Sequence, residues 1–236
     1  TSQIDMKFLE ACFQAGLLEY WDGVSVHPYR QSHPETVLPE YQKLAELVHK
    51  YAPANKKIPI ISGEWGYSAV WRNYDEARQG KYLPRQWLTN MAAGIPISIW
   101  YDWHDDGPDP KEPEHHFGMV AYPYHEGRNP VYDPKPAFLA AQTLSTVLAG
   151  YRFVERCPLK TEKADSCYAL KFEKEGRIAL AVWCQEDGQT LTVPIDLPKG
   201  RYRVVDYLGK EQGSKEVTTA PVDLEISDAP LYLIGE

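Results

Sequence analysis

The chain has 236 residues, enough for one large domain or two modest ones, and its 43% hydrophobic and 25% charged content is that of an ordinary globular protein. A formal net charge of -8 argues against nucleic acid as a partner, because phosphate backbones are held by clustered Lys and Arg. No apolar run approaches the roughly 20 residues of a membrane span, so no membrane association is expected.

The unusual quantity is aromatic content: 12%, with 16 Tyr and 7 Trp. Rings of this kind stack on sugars and other flat faces, and they also fill cores. The opening residues Thr1 to Asp5 have neither the basic start nor the apolar stretch of a secretory signal. A signal removed on export leaves the same start, so localisation stays open, with secretion one option. Cys12, Cys157, Cys167 and Cys184 show no CxxC spacing, so a zinc ribbon is not expected. Cys167 and Cys184 fit either a cross-strand pair or free buried thiols, the latter at least as well.

Residues 4 to 20 read as an amphipathic helix, with Ile4, Phe8, Leu9, Cys12, Phe13 and Leu17 at three- and four-residue spacing. Thr1 or Ser2 suits its cap, with Asp5 in the first turn. A strand follows over 21 to 29 and ends in His27-Pro28-Tyr29. A second helix covers 38 to 52. Ile58 to Ile61 is a short, β-branched run that stops at Ser62-Gly63 and delivers Glu64, then Trp65 and Gly66: a buried strand with a carboxylate at its tip. A third helix spans 75 to 93, with Asp75 at its start and Gly94 and Pro96 beyond its end. Ile97 to Asp102 is another strand, running into Trp103-His104-Asp105-Asp106-Gly107. A long Pro-rich loop spans 107 to 134, and a fourth helix spans 135 to 149.

Alternating helix and strand implies parallel strands with helices outside them. Three such strands are only part of a sheet and leave its edges exposed. Side-chain alternation groups Ser25, His27 and Tyr29 on one face, then Ile60, Ser62 and Glu64, then Ser98, Trp100 and Asp102. The opposite faces, with Val24, Val26, Ile61, Ile97, Ile99 and Tyr101, are expected to meet the helices. This arrangement puts His27, Tyr29, Glu64, Trp100 and Asp102 around one opening at the strands' C-terminal ends, where α/β folds place their chemistry.

After Gly150 the pattern changes to short alternating runs: 167 to 172, 178 to 183, 191 to 195, 202 to 206 and 231 to 234. Glu175-Gly176, Asp187-Gly188, Lys199-Gly200 and Leu208-Gly209 separate them as turns. This reads as an antiparallel sandwich with no chemical constellation. The domain boundary is expected near 150, giving 1–150 and 151–236.

Three segments carry a resemblance: Val24-Ser-Val-His-Pro-Tyr-Arg30, Ile61-Ser-Gly-Glu-Trp-Gly66 and Ile99-Trp-Tyr-Asp-Trp-His-Asp-Asp-Gly107. In order and spacing the chain resembles the C-terminal half of a clan A retaining glycoside hydrolase, most similar to families 5 and 39. The resemblance implies strands six to eight of a (β/α)8 barrel followed by a β-sandwich. It implies a carbohydrate substrate, β-linked polysaccharide or oligosaccharide, and no cofactor. Glu64 falls at the nucleophile's position. His27 and Tyr29 fall at the sixth strand's His and aromatic, and Trp100 at the eighth strand's sugar platform. Asp102, Trp103 and His104 are candidate sugar-hydroxyl or rim contacts. For His27 and Trp100 a purely structural role is the bland alternative, since such side chains are usually well buried.

One departure matters. The clan's acid/base Glu follows an Asn at the fourth strand, and no Asn-Glu pair stands at a strand tip here. The expectation is that the N-terminal half, as a separate or missing segment, supplies it. Two rivals remain. A metal hydrolase would use His104, Asp105, Asp106, His115 and His116, but these lie in a loop with no His-x-His pair, and no metal is expected. A non-catalytic carbohydrate-binding protein would use the same aromatics without needing Glu64.

Overall fold

The computed structural model describes residues 3–236. Helix α1, Met6–Gln14, is shorter than the sequence pattern suggests, because Gly16 adopts a left-handed conformation and breaks it before a 3-10 turn at Leu17–Glu19. Asp5 is its cap, accepting from the Phe8 amide at 3.0 Å. The capping expected of Thr1 or Ser2 lies outside the described residues.

Strands β1 (Val24–Val26), β2 (Ile60–Trp65) and β3 (Ser98–Trp100) form a parallel sheet in that order. Helices α2 (Leu38–Tyr51) and α3 (Glu76–Ala92) connect them, and α4 (Pro136–Val147) follows. Asp75 caps α3, accepting from the Arg78 amide at 2.7 Å. The 107 to 134 stretch is not a bare loop. It contains a 3-10 turn at Pro113–His116 and a hairpin of β4 (Val120–Tyr124) and β5 (Tyr132–Pro134).

The register bears out the expected faces of β1 and corrects those of β2 and β3. Val24 pairs with Ile60, Val26 with Ser62, and Ser62 with Ser98, so these side chains share one face. That face is the helix side: Asn90 of α3 donates to Ser98 Oγ at 2.8 Å, and Val24, Val26 and Ile60 are core residues. Ile61 lies opposite, with Ser25. Ile97 and Ile99, expected against the helices, are 48% and 50% exposed. Small serines suggested an inner face, but strand register decides faces, and register is not written in a single strand.

The architecture changes between Val147 and Arg152. A six-stranded antiparallel sheet has the order β11-β10-β13-β8-β7-β6. Its strands are β6 (Arg152–Arg156), β7 (Cys167–Lys174), β8 (Arg177–Cys184), β10 (Gly200–Asp206), β11 (Glu211–Val217) and β13 (Leu231–Gly235). A second sheet pairs β9 (Leu191–Ile195) with β12 (Val222–Ile226). One face of the large sheet packs Leu170, Phe172 and Trp183 on Leu88 of α3 and Leu144 of α4; the other packs Val182 and Leu233 on Val193 and Ile226. Cys167 and Cys184 sit opposite each other on β7 and β8 and form a disulfide, the cross-strand pair that was one of the two expected alternatives. Cys12 and Cys157 are free.

Candidate active site around Glu64

Glu64 reaches the strands' C-terminal opening through an irregularity. Ser62 pairs with Ser98 and Trp65 with Trp100, so Gly63 and Glu64 together oppose Ile99 alone. Strict alternation from Ser62 would turn Glu64 toward the helices. The extra residue is a β-bulge, a device that re-aims a side chain beside a site. Gly63 has no room for a side chain: a Cβ there would overlap Ser25 Oγ and lie 3.6 Å from His27 Nε2. A Cβ at Gly66 would overlap the Tyr101 carbonyl oxygen. The glycines on either side of Glu64-Trp65 therefore let neighbouring chain close on the carboxylate.

The Tyr29 hydroxyl donates to Glu64 Oε1 at 2.8 Å, and His27 Nδ1 stands 3.8 Å from Oε2. All three side chains are partly exposed. Burial first, then the bond to Glu64 and its negative charge, pushes the Tyr29 hydroxyl far above its ordinary value. Tyr29 is therefore a fixed proton donor to the carboxylate at every working pH.

Tyr101, expected against the helices, belongs to this group, as does Glu114, expected as an acid near the mouth. The Tyr101 ring meets Tyr29 edge-on at 6.4 Å, and its hydroxyl donates to Glu114 Oε2 at 3.4 Å. Burial, followed by the charges of Glu114 and Asp102, pushes Tyr101 up to about 12. Alternation had placed Tyr101 with Ile97 and Ile99. Strand β3 ends at Trp100, so alternation has no hold on Tyr101. Glu114 comes from a loop turn that no strand or helix pattern marks.

Trp100 corrects the expected platform. It is 7% exposed, its indole donates to the Phe117 carbonyl at 3.2 Å, and its ring lies 6.3 Å from that of Tyr67 in the core. No face of it is open to a ligand. Asp102 is half-buried at the end of β3, with Oδ1 unpartnered among the described residues. Burial, then Asp106 and Asp105, pushes its carboxyl up to about 6. Trp103 is 54% exposed and packs edge-on against Phe138 of α4. His104 is drawn into the hairpin, with its ring 4.5 Å from that of Tyr132 and Nε2 at 3.1 Å from the Tyr122 carbonyl.

The residues of the metal rival have other partners. Asp105 is buried against Lys135 Nζ at 2.8 Å, and His116 Nε2 lies 2.8 Å from the Asp109 carbonyl. Among the described residues, no three His, Cys, Asp or Glu side chains are grouped to hold an ion. A cavity of about 600 Å³, lined by Val48, Ala52, Ile58 and Ile95 among others, sits at the opposite, N-terminal end of β2 and touches none of the Glu64 group.

No protein-family model matches the chain, and no curated protein matches it. Solved structures do. A family 39 glycoside hydrolase from the gut symbiont Bacteroides cellulosilyticus WH2 superposes with a TM-score of 0.77 at 22% identity, over 97% of this chain and 47% of that one. The chain resembles the C-terminal half of a glycoside hydrolase. A GH30 endoxylanase from Clostridium papyrosolvens C71 matches at TM-score 0.62 and 12% identity, over 100% of this chain and 54% of that one. A GH39 β-xylosidase from Caulobacter crescentus matches at 0.55 and 14%, over 94% and 53%. The chain thus spans about half the length of the hydrolases it matches, and at these identities the likeness is one of fold.

Proposed function

We propose that the chain is the C-terminal part of a retaining glycoside hydrolase, with Glu64 as nucleophile. In this reading residues 1–150 are strands six to eight of a (β/α)8 barrel with their helices, and 151–236 are an accessory β-sandwich. The supporting observation is the bulged tip of β2, where Glu64 receives the Tyr29 hydroxyl at 2.8 Å beside His27. In the first displacement a Glu64 oxygen bonds to the anomeric carbon as the glycosidic oxygen leaves with a proton from the acid/base residue. In the second, water attacks the glycosyl-enzyme, gives its proton to the same residue and frees Glu64.

The Tyr29 hydroxyl holds the carboxylate in one orientation and spares its other oxygen for attack. Trp103 is the exposed indole at the rim, and it takes over the platform role first expected of Trp100. Asp102 and His27 are candidate partners for sugar hydroxyls. The acid/base carboxyl must stand about 5 to 5.5 Å from Glu64 in a retaining enzyme. It is assigned to the N-terminal half, carried on a preceding or separate segment. The half-exposed Ile97 and Ile99 fit this, since strands one to five would cover that face.

The experiment is Glu64→Gln in the complete protein, assayed on a panel of β-linked glycosides. Turnover should fall by at least about 10³-fold while saccharide binding persists, because the amide keeps the shape and loses the nucleophile. A variant as fast as the parent removes Glu64 from the mechanism. A parent that binds saccharides without turning them over leaves the carbohydrate-binding alternative.

A further inference from the structure

A buried polar cluster joins the two regions of the chain, away from any surface a saccharide could reach. At its centre is Glu35, 2% exposed, in the 3-10 turn Pro34–Val37. Four N–H groups converge on its carboxylate. Arg85 of α3 donates from Nε at 2.7 Å and from Nη2 at 2.8 Å. Trp183 of β8 donates from Nε1 at 2.6 Å, and Gln185 from Nε2 at 3.4 Å. Arg85 also donates to the Asp228 carbonyl at 3.3 Å. Burial alone would raise the Glu35 carboxyl, but the Arg85 guanidinium outweighs it and holds the group below the ordinary range. Lys81–Asp228 and Arg78–Asp187 ion pairs flank the cluster.

An ion pair this deep is costly to desolvate and is a weak source of stability. Leu88 and Leu144 against Leu170 and Phe172 already join the regions by apolar contact. What the cluster specifies is position. Only Arg30 to Pro34 separate Glu35 from Tyr29, and that segment is pinned along its length. Tyr74 donates to the Gln31 carbonyl at 3.0 Å and Tyr67 to the Ser32 carbonyl at 3.1 Å. His33 Nδ1 lies 2.9 Å from the Tyr82 hydroxyl. Pro28 and Pro34 fix φ near both ends. Glu35 thus anchors one end of this short held segment, and Tyr29 stands at the other.

We infer that the antiparallel region completes the site: Trp183 and Gln185 are positioning residues that fix, through Glu35, the hydrogen bond from Tyr29 to Glu64. The inference rests on the Glu64 reading above. It makes the antiparallel region part of the reacting geometry, in addition to any role as a surface appendage.

The test uses the complete protein. Trp183→Phe keeps an aromatic ring against Tyr168, removes the indole donor and leaves a small cavity; Gln185→Ala removes a donor from a partly exposed position and carries the same test without the cavity, including where Trp183→Phe does not fold. Trp183→Phe should lower kcat about tenfold with KM within about twofold, as expected for a displaced reacting group. In a Tyr29→Phe background the further loss should be under about twofold, because the bond it acts through is already gone. Exchange of the Tyr29 amide, which donates to the His27 carbonyl at 2.9 Å, should speed up at least about tenfold, with α2 unchanged. Fully additive losses, or an unchanged kcat in an active parent, overturn the inference. A parent with no turnover on any glycoside defeats the hydrolase reading instead. Exchange then decides alone: faster exchange of the Tyr29 amide upholds the positioning role, and unchanged exchange overturns it.

Discussion

The antiparallel and parallel regions finish their cores differently. In the antiparallel region both faces of the six-stranded sheet are covered, one by α3 and α4 and the other by β9 and β12. In the parallel region the helices cover one face only. Val24, Val26 and Trp100 are buried there, while Ile97 and Ile99 on the reverse are half-exposed. Strands β1 and β3 each have an unpaired edge. Parallel sheets are stable with both faces covered, and exposed apolar patches mark contact surfaces. The contrast teaches that the region with the candidate chemistry is the one whose packing is unfinished.

The largest expected effect tests that contrast directly. Ile97→Asp with Ile99→Asp places two carboxylates on the uncovered face. In this chain alone the stability change should be within about 0.5 kcal/mol, as for ordinary surface substitutions. In the complete protein the same pair should prevent folding, since two unpaired buried charges cost several kcal/mol each. Denaturant titration of both forms gives the comparison; equal effects would mean that no further strands cover this face.

The second effect probes the finished region. Cys167 and Cys184 close a loop with a sequence separation of 17. Replacing both with Ala should cost about 3 kcal/mol, a fall of roughly 6 to 12 °C in Tm for a chain of this size. Calorimetry of this chain reads it. A change under about 1 °C would show that packing of β7 on β8 suffices without the bond.

Legibility in the sequence followed the same divide. Helices α2, α3 and α4 were readable from an amphipathic face on α2 and from stop signals after α3 and α4, and Asp75 marked the start of α3 to the residue. The site's position was readable from residue types at strand ends: His27, Tyr29 and Glu64 do come together. The faces of β2 and β3 were not. Alternation grouped Glu64 with Ser62, and a bulge, visible only against the partner strand, turns it the other way. Trp100 read as a platform because a tryptophan at a strand tip looks alike whether its ring meets solvent or Tyr67. Strands β6 and β11 escaped because Arg152–Arg156 and Glu211–Val217 are mostly polar edge segments whose pairing comes from neighbours; β12, Val222–Ile226, does alternate apolar and polar residues, and was legible but unread.

The smallest effect separates a carboxylate kept for chemistry from one kept for stability. Burial, with Asp106 and Asp105 nearby, raises Asp102 from 3.8 to about 6. A folded value above the unfolded one means that the folded chain holds the proton more tightly. The protonated form therefore favours folding below about pH 4, and that contribution is lost as pH rises toward 6. Above that range the ionised group costs stability: on the order of 1 kcal/mol once solvent screening of this half-buried site is allowed for. Asp102→Asn should thus stabilise the protein by about that amount near pH 8 and leave it unchanged near pH 4. Glu35 at the antiparallel interface predicts the reverse sign, since Arg85 holds it below its ordinary range and its contribution is lost as pH falls. Chemical denaturation of Asp102→Asn at the two pH values decides the matter. A stabilisation that appears at both would assign the gain to packing rather than to charge, and the unpartnered Asp102 Oδ1 would need no ligand to explain it.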